Sequence, residues 1–127
     1  MNAPTITPTD VIEAFARCLN NGDLEGALAL YEPEAVFQAS PDAPPIRGRD
    51  AIREALTGFI AMRGTIVGEI VKVHETDGVA LVANRWQLRA TQRDGMALEL
   101  GGTSADVLRR RPDGSWGILV DDPWGTG

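Results

Sequence analysis

Three Asp-Gly pairs divide the second half of the chain and constrain its fold more strongly than any other feature. They are Asp77-Gly78, Asp94-Gly95 and Asp113-Gly114, and each lies between segments rich in Val, Ile, Leu, Trp and Thr. Asp-Gly between such segments is a strong hairpin signal, because both residues tolerate the positive φ of a tight turn. The pairs therefore predict four consecutive antiparallel strands, over residues 65–75, 79–92, 96–111 and 115–122.

The first half of the chain has the apolar spacing of helices instead. Apolar residues recur at i, i+3, i+4 and i+7 behind the Thr7-Pro8-Thr9-Asp10 start, which has the pattern of a helix cap. Helices followed by a long antiparallel meander indicate an α+β fold, in which the sheet curls into a cone around the helices. The three predicted helices begin at Thr7, Asp23 and Gly48 and end at Gly22, Pro33 and Gly64, and AVFQAS (35–40) is predicted as a short strand.

Strand alternation divides the second predicted strand between two faces. One face is polar at Arg85, Gln87 and Arg89, so the other, mainly apolar face is expected to point toward the helices. Asn84 interrupts the apolar row, either as a buried amide with a backbone or water partner or as a donor that orients a ligand. Trp86 belongs either to the core or to a pocket wall. The apolar face consists of Ala80, Val82, Asn84, Trp86, Leu88 and Ala90.

Composition and charge describe an ordinary globular protein with a single domain, residues 1–127. The net charge of −6 comes without the basic stripe that a nucleic-acid surface needs. The longest aliphatic run, residues 79–83, is too short to cross a membrane, and the first ten residues lack the basic and apolar regions of a signal peptide. The single cysteine, Cys18, excludes an intrachain disulfide, so a cytoplasmic location is expected.

Several residues with chemical potential have simpler structural interpretations. His74 is the only histidine and has no neighbouring ligands at metal-site spacing, so no metal is expected. Cys18 lies on a helix face and is interpreted as a small buried hydrophobe, not a nucleophile. Gly101-Gly102 is predicted to mark a bulge or bend within a strand. The one basic run, Arg109 to Arg111, is interpreted as a solvated strand end.

Two segments of the chain resemble a known family. The segment GDLEGALALYEPEAVFQASPDAPPIRGRDAI (22–52) is similar to the ketosteroid-isomerase-like and SnoaL-like proteins of the nuclear-transport-factor-two-like superfamily, through Gly22-Asp23, Tyr31 and Pro44-Pro45-Ile46 before Gly48. The ending GSWGILVDDPWG (114–125) resembles the tails of bacterial SnoaL-like proteins. The resemblance implies a cone-shaped, cystatin-like α+β barrel with a deep hydrophobic pocket, no required cofactor and a homodimer.

The positions that carry steroid isomerisation in the family have lost their chemistry in this chain. The resemblance implies that Phe15 stands where the isomerases have an oxyanion-binding tyrosine, Ala39 where they have the base, and Thr103 where they have a protonated aspartic acid. Alanine accepts no proton and phenylalanine donates no hydrogen bond, while threonine is a weak donor. Isomerisation by the known route is therefore not expected.

Asp121 is the best remaining carboxylate for acid–base work. The family register implies that Leu119 and Asp121 point into the pocket while Ile118 and Val120 point away. Burial near Trp86 or Trp124 would raise the pKa of Asp121 toward the range useful for proton transfer. The alternative is that the Asp121-Asp122-Pro123 segment simply begins a turn.

The remaining site residues each have two interpretations, and three functions stay open. Tyr31 matches a family position near the pocket floor, where its hydroxyl serves either a ligand or a structural hydrogen bond, and Trp124 closes either the mouth or an interface. The first function is binding of a small apolar or amphipathic molecule, and the second is acid–base catalysis by Asp121 with Asn84, Thr103 and Tyr31 as orienting groups. The third is a dimerisation domain whose cavity is incidental.

Overall fold

A computed structural model of the chain describes residues 7–92 and 94–125. Most of the N-terminal segment considered for a signal peptide lies outside these residues. In the described part, no helix has both the length and the apolar character needed to cross a membrane. The helices are α1 (Pro8–Asn20), α2 (Leu24–Ala29) and α3 (Arg49–Ala61), and the strands are β1 (Tyr31–Phe37), β2 (Ile46–Arg47), β3 (Thr65–Thr76), β4 (Val79–Thr91), β5 (Ala97–Arg110) and β6 (Trp116–Asp122).

The start of α1 forms as its sequence predicts. The Thr7 hydroxyl accepts a hydrogen bond from the Asp10 amide at 3.1 Å, and the Asp10 carboxylate accepts one from the Thr7 amide at 3.2 Å. This reciprocal cap satisfies two donors that an open helix end would leave free. Pro8 occupies the first turn, where its missing N–H costs nothing. Behind the cap, Val11, Ile12 and Leu19 are buried.

The four predicted meander strands are confirmed to within about two residues at each end. The sheet order is β2-β1-β6-β5-β4-β3, with β3 to β6 antiparallel in succession and β1 parallel to β6. Asp77 and Gly78 adopt φ values of 48° and 77°, as a two-residue hairpin turn requires. The other two turns are longer, and in each only the glycine, Gly95 or Gly114, has positive φ among the described turn residues.

Several boundaries in the first half were predicted wrongly. Helix α2 ends at Ala29, and Tyr31 and Pro33 belong to β1, not to the helix or its end. The strand predicted over 35–40 instead begins at Tyr31 and ends at Phe37. Tyr31 pairs with Ile118 of β6, and the pairing resumes only at Val36, so Pro33 lies in an irregular stretch where its missing N–H is tolerated. The short strand β2 was not predicted, and α3 ends at Ala61, before the positive φ of Arg63.

The predicted inner face of β4 is confirmed, because Ala80, Val82, Trp86 and Leu88 are buried while Arg85 is exposed. In the last strand, Asp121 points inward as predicted, but the prediction is wrong for Ile118 and Leu119. Leu108 pairs with Ile118 but Val107 pairs with Val120, so Leu119 is an extra residue at a bulge. The bulge reverses the alternation, and Ile118 is 1% exposed and points inward in place of Leu119. The β4–β5 register, by contrast, runs without a shift through Gly101-Gly102, so no bulge forms there.

An ion-pair cluster joins β1 to the end of β5. Arg109 donates to Glu32 at 3.0 and 2.9 Å, and Arg111 donates to the same carboxylate at 2.8 Å. Arg111 also donates to the carbonyl of Tyr31 at 3.1 Å, and Arg49 donates to that carbonyl at 2.5 Å. The interpretation of Arg109 to Arg111 as a solvated strand end holds for Arg109 and Arg110, which are exposed, but not for Arg111, whose side chain is 24% exposed. Arg49 and Arg111 fix the backbone of Tyr31.

Candidate functional site

A cavity of about 270 Å³ lies between the concave face of the sheet and helices α1 and α3. Its walls are almost entirely aliphatic and aromatic. Phe15, Leu56 and Phe59 line it from the helices. Ligand pockets are commonly of about 300–1,000 Å³, so this cavity suits a small guest.

Trp86 forms the wall of the cavity on β4. Its cross-strand partners are Gly68 on β3 and Gly102 on β5, so no neighbouring side chain competes with the indole for the concave face. A Cβ at Gly102 would lie 3.5 Å from the indole nitrogen. The indole N–H donates to the Pro123 carbonyl at 2.6 Å, which ties the C-terminal segment to the wall.

Trp124 covers the mouth of the cavity. Its ring meets Trp86 edge-to-face, with ring centroids 5.4 Å apart and planes at 76°. Its indole N–H points to the carbonyl of Ala39 at 3.4 Å, so the tail and the rim loop that follows β1 meet over the opening. Ala39 lines the cavity at this rim.

Two aspartates stand side by side at the polar end of the cavity. Asp106 on β5 and Asp121 on β6 are cross-strand partners, and they are only 4% and 7% exposed. The Ser104 hydroxyl donates to one oxygen of Asp106 at 3.0 Å, and the Asp122 amide donates to the other at 3.3 Å. Asp121 accepts the Tyr31 hydroxyl at 2.5 Å. We call Asp106 and Asp121 the carboxyl pair.

Burial raises the pKa of both members of the carboxyl pair. For Asp106, burial, the charge of Asp121 and the hydrogen bond between the two carboxyls together raise the pKa well above its usual value. For Asp121, burial also raises the pKa, but hydrogen bonds from Tyr31 and Asp106 act in the opposite direction. Asp121 is therefore the more readily ionised member of the carboxyl pair.

Tyr31 supports the carboxyl pair from behind. It is 0% exposed, does not line the cavity, and packs edge-to-face against Phe15 with ring centroids 5.5 Å apart. Burial and the neighbouring charge of Asp121 raise the pKa of Tyr31 well above its usual value, so the phenol stays protonated as a donor. Its hydroxyl has the structural role, and the prediction of a direct ligand contact is wrong.

Of the other residues predicted at the site, the structure places most but not all at the cavity. Phe15, Ala39, Asn84, Trp86, Asp121 and Trp124 line it. Leu119 does not, because of the β6 bulge. Thr103 does not either, since it pairs with Arg85 on the outer face and is exposed.

Asp106 was missed, although the sequence carries a signal for it. In β5 the apolar residues Leu98, Leu100 and Leu108 alternate with polar ones, and Asp106 shares their parity. Such a carboxylate among inward positions marks a candidate site. The described residues contain no group of three or more His, Cys, Asp or Glu side chains that could hold a metal ion.

Comparisons with solved structures define the class of fold. The chain is similar to a ketosteroid isomerase-like protein from Erwinia carotovora atroseptica, with 21% identity and a TM-score of 0.79 over 92% of this chain and 90% of the other. A conserved protein from Planctomyces limnophilus gives 18% identity and a TM-score of 0.81 over 89% and 88%. An NTF-2 like protein of unknown function from Shewanella oneidensis gives 18% identity and 0.73 over 91% and 97%. The chain thus has the α+β cone fold of NTF2-like proteins.

Sequence comparison then identifies the family. Residues 12–116 match the SnoaL-like domain, and the chain belongs to the SnoaL-like family. The sequence matches none of the curated proteins.

Proposed function

We propose that the protein binds a small, uncharged and mainly apolar organic molecule, with a hydrogen-bonding oxygen directed at the carboxyl pair. The supporting observation is an apolar cavity of about 270 Å³ in which Asp106 and Asp121 are the only charged residues of the described lining. A few convergent polar groups on an apolar wall are typical of ligand sites.

The charge of the site favours a neutral guest. With one shared proton the carboxyl pair carries a single negative charge, and no described lysine, arginine or histidine lines the cavity. An anionic ligand would meet a like charge in a medium of low polarity and would lose its hydration without compensation. A carbonyl or hydroxyl oxygen can instead accept from the protonated carboxyl or donate to the ionised one.

The binding proposal is tested with 2-naphthol as the probe, by isothermal titration calorimetry. We expect saturable binding to the wild-type protein and loss of binding in Ala39→Trp, whose indole would fill the rim beside Trp124. Ala43→Trp is the matched control, because Ala43 is exposed in the same loop and does not line the cavity. Binding that survives in Ala39→Trp, or no binding to the wild type, would contradict the proposal.

Acid–base catalysis is the second candidate, and the carboxyl pair is the observation that favours it. Two neighbouring carboxyls with different protonation states can donate a proton at one position of a ligand and remove one at another. In this scheme Asp121 is the base, Asp106 is the acid, and Tyr31 is a positioning residue that keeps Asp121 ionised. Isomerisation, cyclisation, dehydration and epoxide hydrolysis can all use an acid and a base placed in this way.

A carbonyl probe tests this second candidate without knowledge of the substrate. Asp121 would remove a proton from the carbon next to the carbonyl of 2-tetralone while Asp106 donates its proton to the carbonyl oxygen. Reversal in D₂O would return a deuteron to that carbon. We expect the protein to accelerate this exchange, followed by proton NMR, and Asp121→Asn to abolish the acceleration. Asp42→Asn, an exposed carboxylate on the rim loop, is the control that should retain it.

Homodimerisation stays a proposal that rests on one surface. On the outer face of the sheet, Leu81, Val107 and Val120 are consecutive cross-strand partners, and Leu81 is 41% exposed. Light scattering of the wild type should give a molar mass twice that of one chain. The Leu81→Arg variant should give the mass of a single chain. A monomeric wild type would refute the dimer without affecting the cavity. The cytoplasmic location likewise stays a prediction.

A further inference from the structure

The side-chain amide of Asn84 is a second polar group at the cavity, separate from the carboxyl pair. Within residues 7–92 and 94–125, its side-chain amide forms no hydrogen bond, and it lines the cavity from β4. No described side-chain nitrogen or oxygen is both buried and without a partner, so the Asn84 amide is open to the cavity space. An amide in this state offers two donors and one acceptor to a guest.

The neighbouring strand keeps room for this amide. A Cβ at Gly68 would lie 2.7 Å from the Asn84 amide oxygen and 2.8 Å from its nitrogen, so only glycine lets the amide lie across β3 as it does. Any larger side chain at this position would push the amide away. Position 68 and position 84 together therefore fix a polar group in a wall that is otherwise apolar.

The separation of the two polar points follows from the strand register. Asn84 pairs with Ser104, and Asp106 lies two residues further along the same face of β5. Diagonal neighbours of this kind are about 7–8 Å apart. The Ser104 hydroxyl between them already donates to Asp106 at 3.0 Å, so it does not offer a further free donor.

We infer that the ligand is bifunctional: an apolar scaffold with one oxygen at the carboxyl pair and a second hydrogen-bonding group at the Asn84 amide. This inference rests on the proposed binding function. A guest with one oxygen would leave the Asn84 amide without a partner in a desolvated cavity, and that loss lowers affinity. The spacing selects ligands whose polar groups lie at opposite ends of the scaffold.

Three probes of nearly equal shape test the inference by calorimetry: 2-naphthol, 2,6-dihydroxynaphthalene and 2,3-dihydroxynaphthalene. The 2,6 isomer places its second hydroxyl at the far end, and the 2,3 isomer places it beside the first. We expect the wild type to bind the 2,6 isomer about 3- to 10-fold more tightly than 2-naphthol, the gain of one net hydrogen bond. Asn84→Leu should remove this gain, so that the variant binds the 2,6 isomer no more tightly than 2-naphthol or the 2,3 isomer.

Gln87→Leu is the matched control, because Gln87 is an exposed amide on the opposite face of the same strand. It should keep the wild-type preference. Gly68→Ala should also reduce the preference, and it serves as a second variant if Asn84→Leu folds poorly. In the wild type, the side-chain amide resonances of Asn84 should shift with the 2,6 isomer more than with 2-naphthol.

The two proposals fail in different ways. If the wild type binds 2-naphthol but shows no preference for the 2,6 isomer, or if Asn84→Leu retains the preference, the bifunctional inference is wrong and the binding proposal stands. If none of the three probes binds, the binding proposal itself is contradicted, and the inference that rests on it falls with it.

Discussion

Replacing Asp106 with asparagine should change how stability depends on pH. The amide resembles the protonated form of Asp106, since it donates toward Asp121 and still accepts from Ser104 or the Asp122 amide. Burial raises the pKa of Asp106 in the folded state, so the folded wild type holds a proton that the unfolded chain releases above about pH 4. The wild type therefore loses stability as pH rises toward the folded pKa, and Asp106→Asn should lose less, because only the raised pKa of Asp121 remains.

The size of the effect follows from one proton. A difference of one bound proton changes the free energy of unfolding by about 1.4 kcal/mol per pH unit. Above about pH 5 the wild type should lose stability relative to the variant at up to this rate, until the proton leaves the folded pair. The stability that the raised pKa of Asp106 contributes is fully present below the pKa of this group in the unfolded chain. It is lost when the pH rises past the pKa of Asp106 in the folded protein.

Urea denaturation at several pH values, followed by the fluorescence of the buried Trp116, measures this difference. The carboxylates with lowered pKa, Glu25, Glu32 and Asp113, contribute stability that is lost only in acid, so they leave this window unaffected. Asp42→Asn should give a curve parallel to the wild type. Parallel curves for Asp106→Asn and the wild type would refute the shared proton.

Four further predictions concern the framework around the site. Tyr31→Phe should lower the free energy of unfolding by about 1.5–3 kcal/mol in urea, because it removes a hydrogen bond to a buried carboxylate, and it should raise the pKa of Asp121. Gly117→Ala should destabilise by about 1–3 kcal/mol, since its Cβ would lie 2.5 Å from the Glu32 carboxylate. Gly58→Ala, in α3 with nothing within 4 Å, should instead stabilise by about 0.5–1 kcal/mol in the same assay. Thr7→Ala should cost about 1 kcal/mol through the lost cap, and equal stability to the wild type would contradict the cap's role.

Local signals predicted most of the framework because each depends on neighbours in sequence. The Thr7 cap, the Asp77-Gly78 turn and the inner face of β4 all follow from spacing that a few residues define. The inner row that includes Asn84 and Trp86 could be placed for the same reason.

The errors arose where distant segments decide the structure. Pro33 indicated a helix end, but the parallel pairing of Tyr31 with β6, 87 residues away at Ile118, extends a strand through it. The bulge at Leu119 depends on the register between β5 and β6, which no local pattern encodes. The carboxyl pair has the same origin, because Asp106 and Asp121 meet only once that register is set.

The direct test of the account is a carbon-13 NMR titration of the aspartate carboxyl groups with and without 2-naphthol. We predict that the carboxyl carbons of Asp106 and Asp121 titrate above the usual aspartate range and shift when the probe binds, while those of the exposed Asp113 do not respond to it. Carboxyl carbons of the pair that titrate as ordinary aspartates and ignore a bound probe would contradict a cavity organised around Asp106 and Asp121.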